Sequence, residues 1–189
     1  MKLILASSSE YRAKLLELAG FEYEVRKPHI DETVVTGKRL PPAEVVRSLA
    51  AQKTIAVWEK NDSEIICGAD TIVSIDDEIF GYPRDRDDAR RMLKQLSGNM
   101  HEVYTGVHIY GDYIELSFYD KTIVNMYELT DKEIENYLDT EEFWSRPGGY
   151  DISRKGGTLI EGINGDFNNI LGLPVGLLIR QLRACGFRV

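Results

Sequence analysis

The chain has 189 residues and a formal net charge of −8 at pH 7, with 43% hydrophobic and 29% charged residues. These fractions are typical of a globular protein, and the length suits one sizeable domain or two small lobes that share a core. No apolar run approaches the ~20 residues that cross a bilayer, and the negative charge argues against sequence-independent binding to nucleic acid. The two cysteines, Cys67 and Cys185, match no metal or redox spacing. We therefore expect a cytoplasmic protein with neither a membrane nor a nucleic acid as partner.

The first sixty residues predict two strands that are each followed by a helix. Residues 3–6 form an apolar strand, and the serines after it can cap a helix that ends at Gly20. Residues 21–25 alternate apolar and charged side chains, as a half-buried strand does. A pair of prolines then starts a second helix, over about residues 42–60.

The remainder of the chain predicts long strands with helices between them. In order, the pattern gives a strand over 64–75, a turn at Asp76 and Asp77 into a strand over 78–80, a helix over 87–96, strands over 102–110 and 113–127, a helix capped by Thr130, a loop over 141–157, a strand over 158–163 and a helix over 173–184. Helices and strands alternate early and long hairpins follow. We therefore expect an α/β fold with a mixed sheet, flanking helices and a cleft where the two regions meet.

Two predicted helices carry a cation beside their apolar stripe. Arg12 lies three and four residues before Leu15 and Leu16, and Lys53 lies four residues after Leu49. Helical spacing places each cation near the buried face, where it must reach past the core to water or meet an anion. Arg12 also follows a strand and a run of serines that includes Ser7, at a helix N-terminus that attracts anions. One alternative stays open here: an ordinary serine-capped helix with Arg12 reaching to solvent.

Asp70 gives the sharpest signal in the sequence. It interrupts an otherwise apolar run, residues 65–73, that suits a central strand. Burying a carboxylate there is costly unless it is paired, bound to a metal or placed at an exposed strand end. An aspartate that caps a turn is the structural alternative, but Asp76 and Asp77 suit the turn better. We therefore favour a functional role for Asp70.

A second acidic feature lies in a loop after His29. Asp31 and Glu32 could hold Mg²⁺ together with substrate phosphates, although the pair taken alone is better explained as a solvated acidic turn. His29, His101 and His108 lack a metal-ligand spacing. We interpret these three histidines as surface or structural residues.

Taken together, these motifs resemble the Maf family of nucleoside-triphosphate pyrophosphatases over nearly the whole chain. Any one motif is weak, but their order and spacing are specific. The matching segments are residues 5–12 with the serines and Arg12, residues 25–32 ending in the acidic pair, Gly68-Ala69-Asp70-Thr71-Ile72-Val73, residues 96–106 from Leu96-Ser97-Gly98 to Gly106, Gly148-Gly149-Tyr150, and the positions Glu161, Ile163, Gly165, Asn169, Gly172, Leu173 and Pro174.

The resemblance implies a single domain over residues 1–189, with an elongated mixed sheet and two lobes around a deep cleft, as in Maf and inosine-triphosphatase folds. It implies a hydrolase that cleaves nucleoside triphosphates, standard or modified, to a monophosphate and pyrophosphate with a divalent cation (Mg²⁺, Mn²⁺ or Co²⁺). It also allows a homodimer. In that reading Asp70 is the base that activates water, and Glu32 joins it as a metal or water ligand. The substrate contacts are Ser7, Arg12, Lys53, Thr71, Arg84, Arg146 and Ser153.

The chain departs from the family pattern at several of these positions. Tyr82 stands where the family usually has a lysine, and Arg84 could replace its charge. Arg146 replaces another lysine, and Ser153 replaces a frequent glutamine. Tyr11 resembles the branch that prefers 7-methylguanosine triphosphate, whereas residues 68–71 resemble the branch that acts on thymidine and uridine triphosphates. The preferred base therefore stays open, and so does a second function class: a nucleotide-binding or division-regulating protein with little turnover.

Overall fold

The computed structural model describes residues 3–30, 40–59, 64–76 and 78–187. The chain divides into two compact units, and the division falls inside three strands. The described residues of the first unit belong to Met1–Asp70, Thr105–Asp120 and Leu171–Val189, and those of the second to Thr71–Tyr104 and Lys121–Ile170. Within these ranges, no helix has both the length and the apolar character needed to span a membrane.

Strands and helices alternate through the first half of the chain. The strands are β1 (Leu3–Ala6), β2 (Tyr23–Arg26), β3 (Ile65–Ile75), β4 (Glu78–Phe80), β5 (Met100–Gly111), β6 (Ile114–Met126) and β7 (Ile160–Asn164). The α-helices are α1 (Glu10–Leu18), α2 (Pro42–Val57), α3 (Arg86–Leu96), α4 (Asp131–Leu138), α5 (Phe167–Ile170) and α6 (Val175–Ala184). Three short 3₁₀ helices cover Glu142–Ser145, Pro147–Gly149 and Lys155–Leu159.

Among the described residues, the strands form one mixed sheet of seven strands. Its order is β2-β1-β3-β5-β6-β7, and β4 pairs with β3 outside this path. β1 runs parallel to both β2 and β3, whereas β4 is antiparallel to β3 and β7 is antiparallel to β6. The predicted α/β fold with a mixed sheet and flanking helices is confirmed; the elongated outline and the cleft stay predictions.

Except near residues 141–170, the predicted elements agree with the structure to within two or three residues at their ends. The turn predicted at Asp76 and Asp77 includes Asp77, which lies outside the described residues. The predicted loop over 141–157 is wrong, because most of that segment forms the three 3₁₀ helices. The last of them also takes residues 158 and 159, so β7 begins two residues later than predicted, at Ile160. The one-turn helix α5 was not predicted. Short 3₁₀ helices have no apolar periodicity for the sequence to display.

Helix α2 lies directly on two neighbouring strands of the first unit. A Cβ atom on Gly68 of β3 would lie 2.3 Å from Thr54 Oγ1 and 2.5 Å from the Ala50 carbonyl oxygen. One on Gly106 of β5 would lie 2.4 Å from the Val46 carbonyl carbon. Only glycine permits these approaches. The backbone of α2 is therefore fixed against the strand that carries Asp70.

The second unit packs its core between α3, α4 and the strands. The apolar cluster includes Val73, Phe80, Leu93 and Leu138. Helix α4 begins with the predicted capping box, in which Thr130 Oγ1 accepts from the Glu133 backbone N–H and the Glu133 carboxylate accepts from the Thr130 backbone N–H at 2.8 Å.

A methyl group at position 106 tests the close packing of α2. We expect Gly106→Ala to lower the free energy of unfolding by about 1–3 kcal/mol, because helix α2 must shift to admit the methyl group. Urea denaturation followed by circular dichroism measures the change. Gly162→Ala in β7 is the matched control, since a Cβ there meets no atom within 4 Å. Equal stability of the two variants would contradict the packing described above.

Candidate active site

Parallel strands bring predicted residues of the first unit to one edge of the sheet. Ala6 of β1 lies opposite Gly68 of β3, and the two strands lead on to Ser7 and to Asp70. Ligands of α/β sheets bind beyond the carboxyl ends of such strands. The register therefore places the serine loop and the catalytic candidate on neighbouring strands.

Arg12 is held inside this region by two acceptors. Its Nε donates to the Gly172 carbonyl oxygen at 2.7 Å, and its Nη1 donates to Ser7 Oγ at 3.3 Å. Ser9 caps α1 by accepting from the Arg12 backbone N–H at 3.4 Å. Arg12 and Ser7 are both buried, so the alternative of an arginine that reaches to solvent is wrong. The Gly172 carbonyl was not predicted as a partner, because a backbone acceptor has no residue type to reveal it.

Lys53 and Asp70 form a buried ion pair. Lys53 Nζ donates to Asp70 Oδ1, and both side chains are about nine-tenths buried. Either charge alone would be costly to bury, and the pairing offsets that cost. Thr54, the next residue of α2, lies on Gly68, so the glycine contact also sets where Lys53 meets the strand. Of the alternatives that the sequence left open, Lys53 thus meets an anion and Asp70 is paired with a cation.

Cys67 lies buried in β3, close enough to Arg12 for the charge of Arg12 to act on its pKa. Burial raises the pKa of the Cys67 thiol to about 12, and the positive charge of Arg12 acts against that rise. Cys67 is therefore a neutral, buried side chain, as predicted. The first unit thus holds Ser7 and Arg12 in one buried group and Lys53 with Asp70 in another.

Thr71 and Arg146 of the second unit line one small cavity. Its volume is about 10 Å³, room for about one water molecule. Tyr150 is the third polar residue that lines the cavity, and the other lining residues are apolar. Arg146 is buried, with its Nε 3.5 Å from Asp151 Oδ2.

Ser153 binds the same carboxylate as Arg146. Its backbone N–H and its hydroxyl donate to Asp151 Oδ1 at 3.0 and 2.7 Å. The structure thus brings Arg146 and Ser153 together through Asp151, a residue that the sequence did not single out. The sequence held one indication of this role for Asp151: the residue lies two positions before Ser153, in a segment rich in glycine and charge.

Arg84 lies on the surface at the start of α3. Its side chain is exposed, and its Nε pairs with Asp88 Oδ2 at 3.1 Å. Hydrogen bonds from Arg84 hold the pKa of the buried Asp88 at about 2, well below its usual range. Tyr82 is also exposed. Arg84 is therefore fixed near the position of Tyr82, where the sequence lacks the expected lysine.

Glu32 lies outside the described residues. In the part of the chain that the structure describes, no group of three or more His, Cys, Asp or Glu side chains could hold a metal ion.

His101 and Tyr150 form a buried polar pair behind the cavity. His101 Nε2 lies 2.7 Å from the Tyr150 hydroxyl, and the rings meet edge to face. Burial lowers the pKa of His101 to about 4 and raises the pKa of Tyr150 above its usual range. Both side chains are therefore neutral near pH 7. The prediction of a structural role for His101 agrees with this burial.

Sequence comparison links the chain to one protein family. A family model described as "Maf-like protein" matches residues 2–185. A dTTP/UTP pyrophosphatase of Bacillus cereus is 42% identical over 182 residues, which cover 96% of this chain and 94% of the relative. A dTTP/UTP pyrophosphatase of Bacillus cytotoxicus is 43% identical over 182 residues, which again cover 96% of this chain and 94% of the relative.

Structural comparison gives a weaker likeness. A HAM1 protein from Coxiella burnetii aligns with 97% of this chain and 99% of its own, at a TM-score of 0.46 and 10% identity. A likeness of this strength carries no argument about activity.

The pKa of His101 predicts a loss of stability in acid. An unfolded histidine binds a proton below about pH 6.5, whereas the folded His101 stays neutral until about pH 4, so the unfolded state binds more protons as the pH falls between these values. We expect the free energy of unfolding to fall by about 2 kcal/mol from near pH 7 to near pH 5 on account of His101. Urea denaturation at both values measures this loss. His101→Gln is expected to lose less, and an equal loss in both proteins would contradict the assignment.

Proposed function

The chain belongs to the Maf family, and on that premise we propose that it hydrolyses nucleoside triphosphates to a monophosphate and pyrophosphate, with dTTP and UTP as its substrates. One observation carries the proposal: β1 leads into the buried Ser7–Arg12 group, and its parallel neighbour β3 carries the buried Lys53–Asp70 pair two residues beyond Gly68, the partner of Ala6. α/β proteins bind ligands beyond the carboxyl ends of strands such as β1. The relatives named dTTP/UTP pyrophosphatase support the choice of base. Because the family match runs through residues 2–185, we treat residues 1–189 as one functional domain.

The proposed reaction is an attack by water on the α-phosphorus. Asp70 accepts a proton from the water or orients it, a new bond forms between water oxygen and phosphorus, and the bond to the bridging oxygen of pyrophosphate breaks. Arg12 and Lys53 stabilise the charge that develops on the departing pyrophosphate. Their fixed positions in a buried site make positioning a large part of the rate enhancement.

A divalent cation (Mg²⁺, Mn²⁺ or Co²⁺) fits the donor set of the first unit. Asp70 offers one buried carboxylate, Glu32 is the expected second ligand, and phosphate oxygens complete the set, which is the pattern that Mg²⁺ accepts. When bound with the nucleotide, the cation would neutralise charge on the phosphate oxygens.

Four residues of the second unit complete the proposed substrate contacts. Thr71 and Arg146 line the small cavity. Ser153 is tied to Asp151, and Arg84 presents an exposed guanidinium. Arginine in place of lysine at position 146 keeps the charge and adds planar, directional donors for phosphate. A homodimer and a cytoplasmic location are further parts of the proposal; the two free thiols, Cys67 and Cys185, agree with a reducing compartment.

A nucleotide-binding protein with little turnover is the second candidate function. The observation that favours it is Tyr82, which is exposed and cannot supply the fixed positive charge of the usual lysine. The paired Asp70 argues against it, since a protein that only binds nucleotide has no need of a base.

The products of a nucleotide panel test the proposal. The purified protein is incubated with dTTP, UTP, CTP, ATP, GTP and 7-methylguanosine triphosphate, each with Mg²⁺, Mn²⁺ or Co²⁺, and monophosphate, pyrophosphate and orthophosphate are quantified separately. We expect equal yields of monophosphate and pyrophosphate, highest from dTTP and UTP, and a fall in kcat of about 10²–10⁴-fold in Asp70→Asn, because the variant lacks the base.

The matched control is Asp112→Asn, an exposed aspartate of the β5–β6 turn that should keep full activity. Release of orthophosphate, or an Asp70→Asn variant as active as the wild type, would refute the proposed reaction. Tight binding of dTTP without turnover would favour the second candidate.

A further inference from the structure

We propose that Asp151 is a positioning residue, which holds Arg146 and Ser153 in the arrangement that receives the nucleotide. This inference rests on the proposed function, because that function makes Arg146 and Ser153 substrate contacts. The motif positions that indicated the family do not include Asp151.

Each carboxylate oxygen of Asp151 faces one of the two predicted substrate contacts, Ser153 and Arg146. Oδ1 accepts from the backbone N–H and the hydroxyl of Ser153 at 3.0 and 2.7 Å. Oδ2 faces Arg146 Nε at 3.5 Å. One carboxylate thus fixes the hydroxyl of one predicted contact and the guanidinium of the other.

The rest of the structure fixes Asp151 itself. The residue is fully buried, and its backbone N–H donates to the Tyr137 hydroxyl at 2.9 Å. Ser145 Oγ reaches Oδ2 at 3.4 Å. The backbone of Gly156 passes so close that a Cβ there would lie 2.5 Å from the Asp151 carbonyl oxygen. Asp151 therefore has little room to move, and a rigid carboxylate transmits its position to the side chains that bind it.

Because Arg146 is buried, its side chain is expected to move when the charge of the Asp151 carboxylate is removed. The Arg146 side chain is about nine-tenths buried, and a buried guanidinium whose carboxylate partner has been removed is strongly unfavourable. In an Asp151→Asn variant the guanidinium is expected to leave its place for water, and the Ser153 hydroxyl loses its strongest acceptor. Arg154, the other cation near Oδ2 at 3.9 Å, is mostly exposed and can stay in solvent.

Electrostatic screening predicts the opposite effect, so the direction of the change in affinity distinguishes the two roles. A carboxylate beside Arg146 screens its charge, so removal could strengthen the attraction for a triphosphate. Positioning predicts weaker binding, and screening predicts tighter binding. We argue for positioning because the cost of an uncompensated buried charge exceeds the gain from a charge that would no longer be held in place.

Steady-state kinetics with UTP test the proposal in Asp151→Asn, Arg146→Gln and the double variant. We expect Asp151→Asn to raise KM about tenfold while kcat changes less than about threefold, since a displaced contact weakens binding without removing the base. The double variant should have a KM above that of Arg146→Gln, because Ser153 is also released, but below the product of the two single effects, because Asp151 and Arg146 act together. Thermal melting is recorded for every variant.

Tyr137→Phe is the local control. It removes the bond to the Asp151 backbone N–H and leaves the carboxylate with its bonds to Ser153 and Arg146, so it should lower the melting temperature and raise KM much less than Asp151→Asn does. An unchanged KM in Asp151→Asn, with a loss of stability like that of Tyr137→Phe, would show that the role is structural only. A lowered KM would show screening, and KM effects that multiply in the double variant would show independent residues; each of these results overturns the proposal.

A binding measurement separates this proposal from the proposed reaction. The Kd of UTP is measured by calorimetry in EDTA, with Asp70→Asn and with Asp70→Asn/Asp151→Asn, so that turnover does not interfere. A Kd raised about tenfold by Asp151→Asn supports positioning even if the wild-type protein releases orthophosphate and the proposed reaction fails. An equal Kd in the two proteins, or no binding of UTP by Asp70→Asn, overturns it.

Discussion

Lys53 and Asp70 form an ion pair inside the first unit, and neither charge would be stable there without the other. The pair exists because helix α2 lies on β3 at Gly68, with Thr54 and the Ala50 carbonyl in the space that a side chain would take. The same helix lies on Gly106 of the next strand. Backbone-to-backbone packing at two glycines thus fixes the distance between a cation on a helix and a carboxylate in a strand.

A second pairing of the same kind organises the other unit. Asp151 is fully buried among polar partners, and Arg146 is buried against it. In each unit a cation proposed to contact phosphate is held by a carboxylate out of water, where its rotamers are restricted and its charge is little screened. An acidic protein can therefore bind a triphosphate, because the few cations that matter are placed locally and not spread over the surface.

The sequence predicted the parts of the site in which charge conflicts with periodicity. Charged residues stand out at positions 12, 53 and 70 because the period of a helix or strand predicts apolar side chains at or beside those positions. The Gly172 carbonyl that binds Arg12 could not be predicted, since every residue has such an acceptor and only the fold brings this one near. Asp151 was missed for a related reason: its partners lie among 3₁₀ helices, where spacing along the chain does not indicate which side chains meet. The same lack of periodicity led to the wrong prediction of a loop over 141–157.

A double-mutant cycle between Lys53→Met and Asp70→Asn tests the central claim that the two residues act as one buried unit. Both the free energy of unfolding and kcat are measured for the wild type, the two single variants and the double variant. The account predicts that the double variant is more stable than the sum of the two single losses allows, because it buries no uncompensated charge. It also predicts that each single substitution lowers kcat about as far as both together. Stability losses that add, or a Lys53→Met variant with the wild-type kcat, would contradict it.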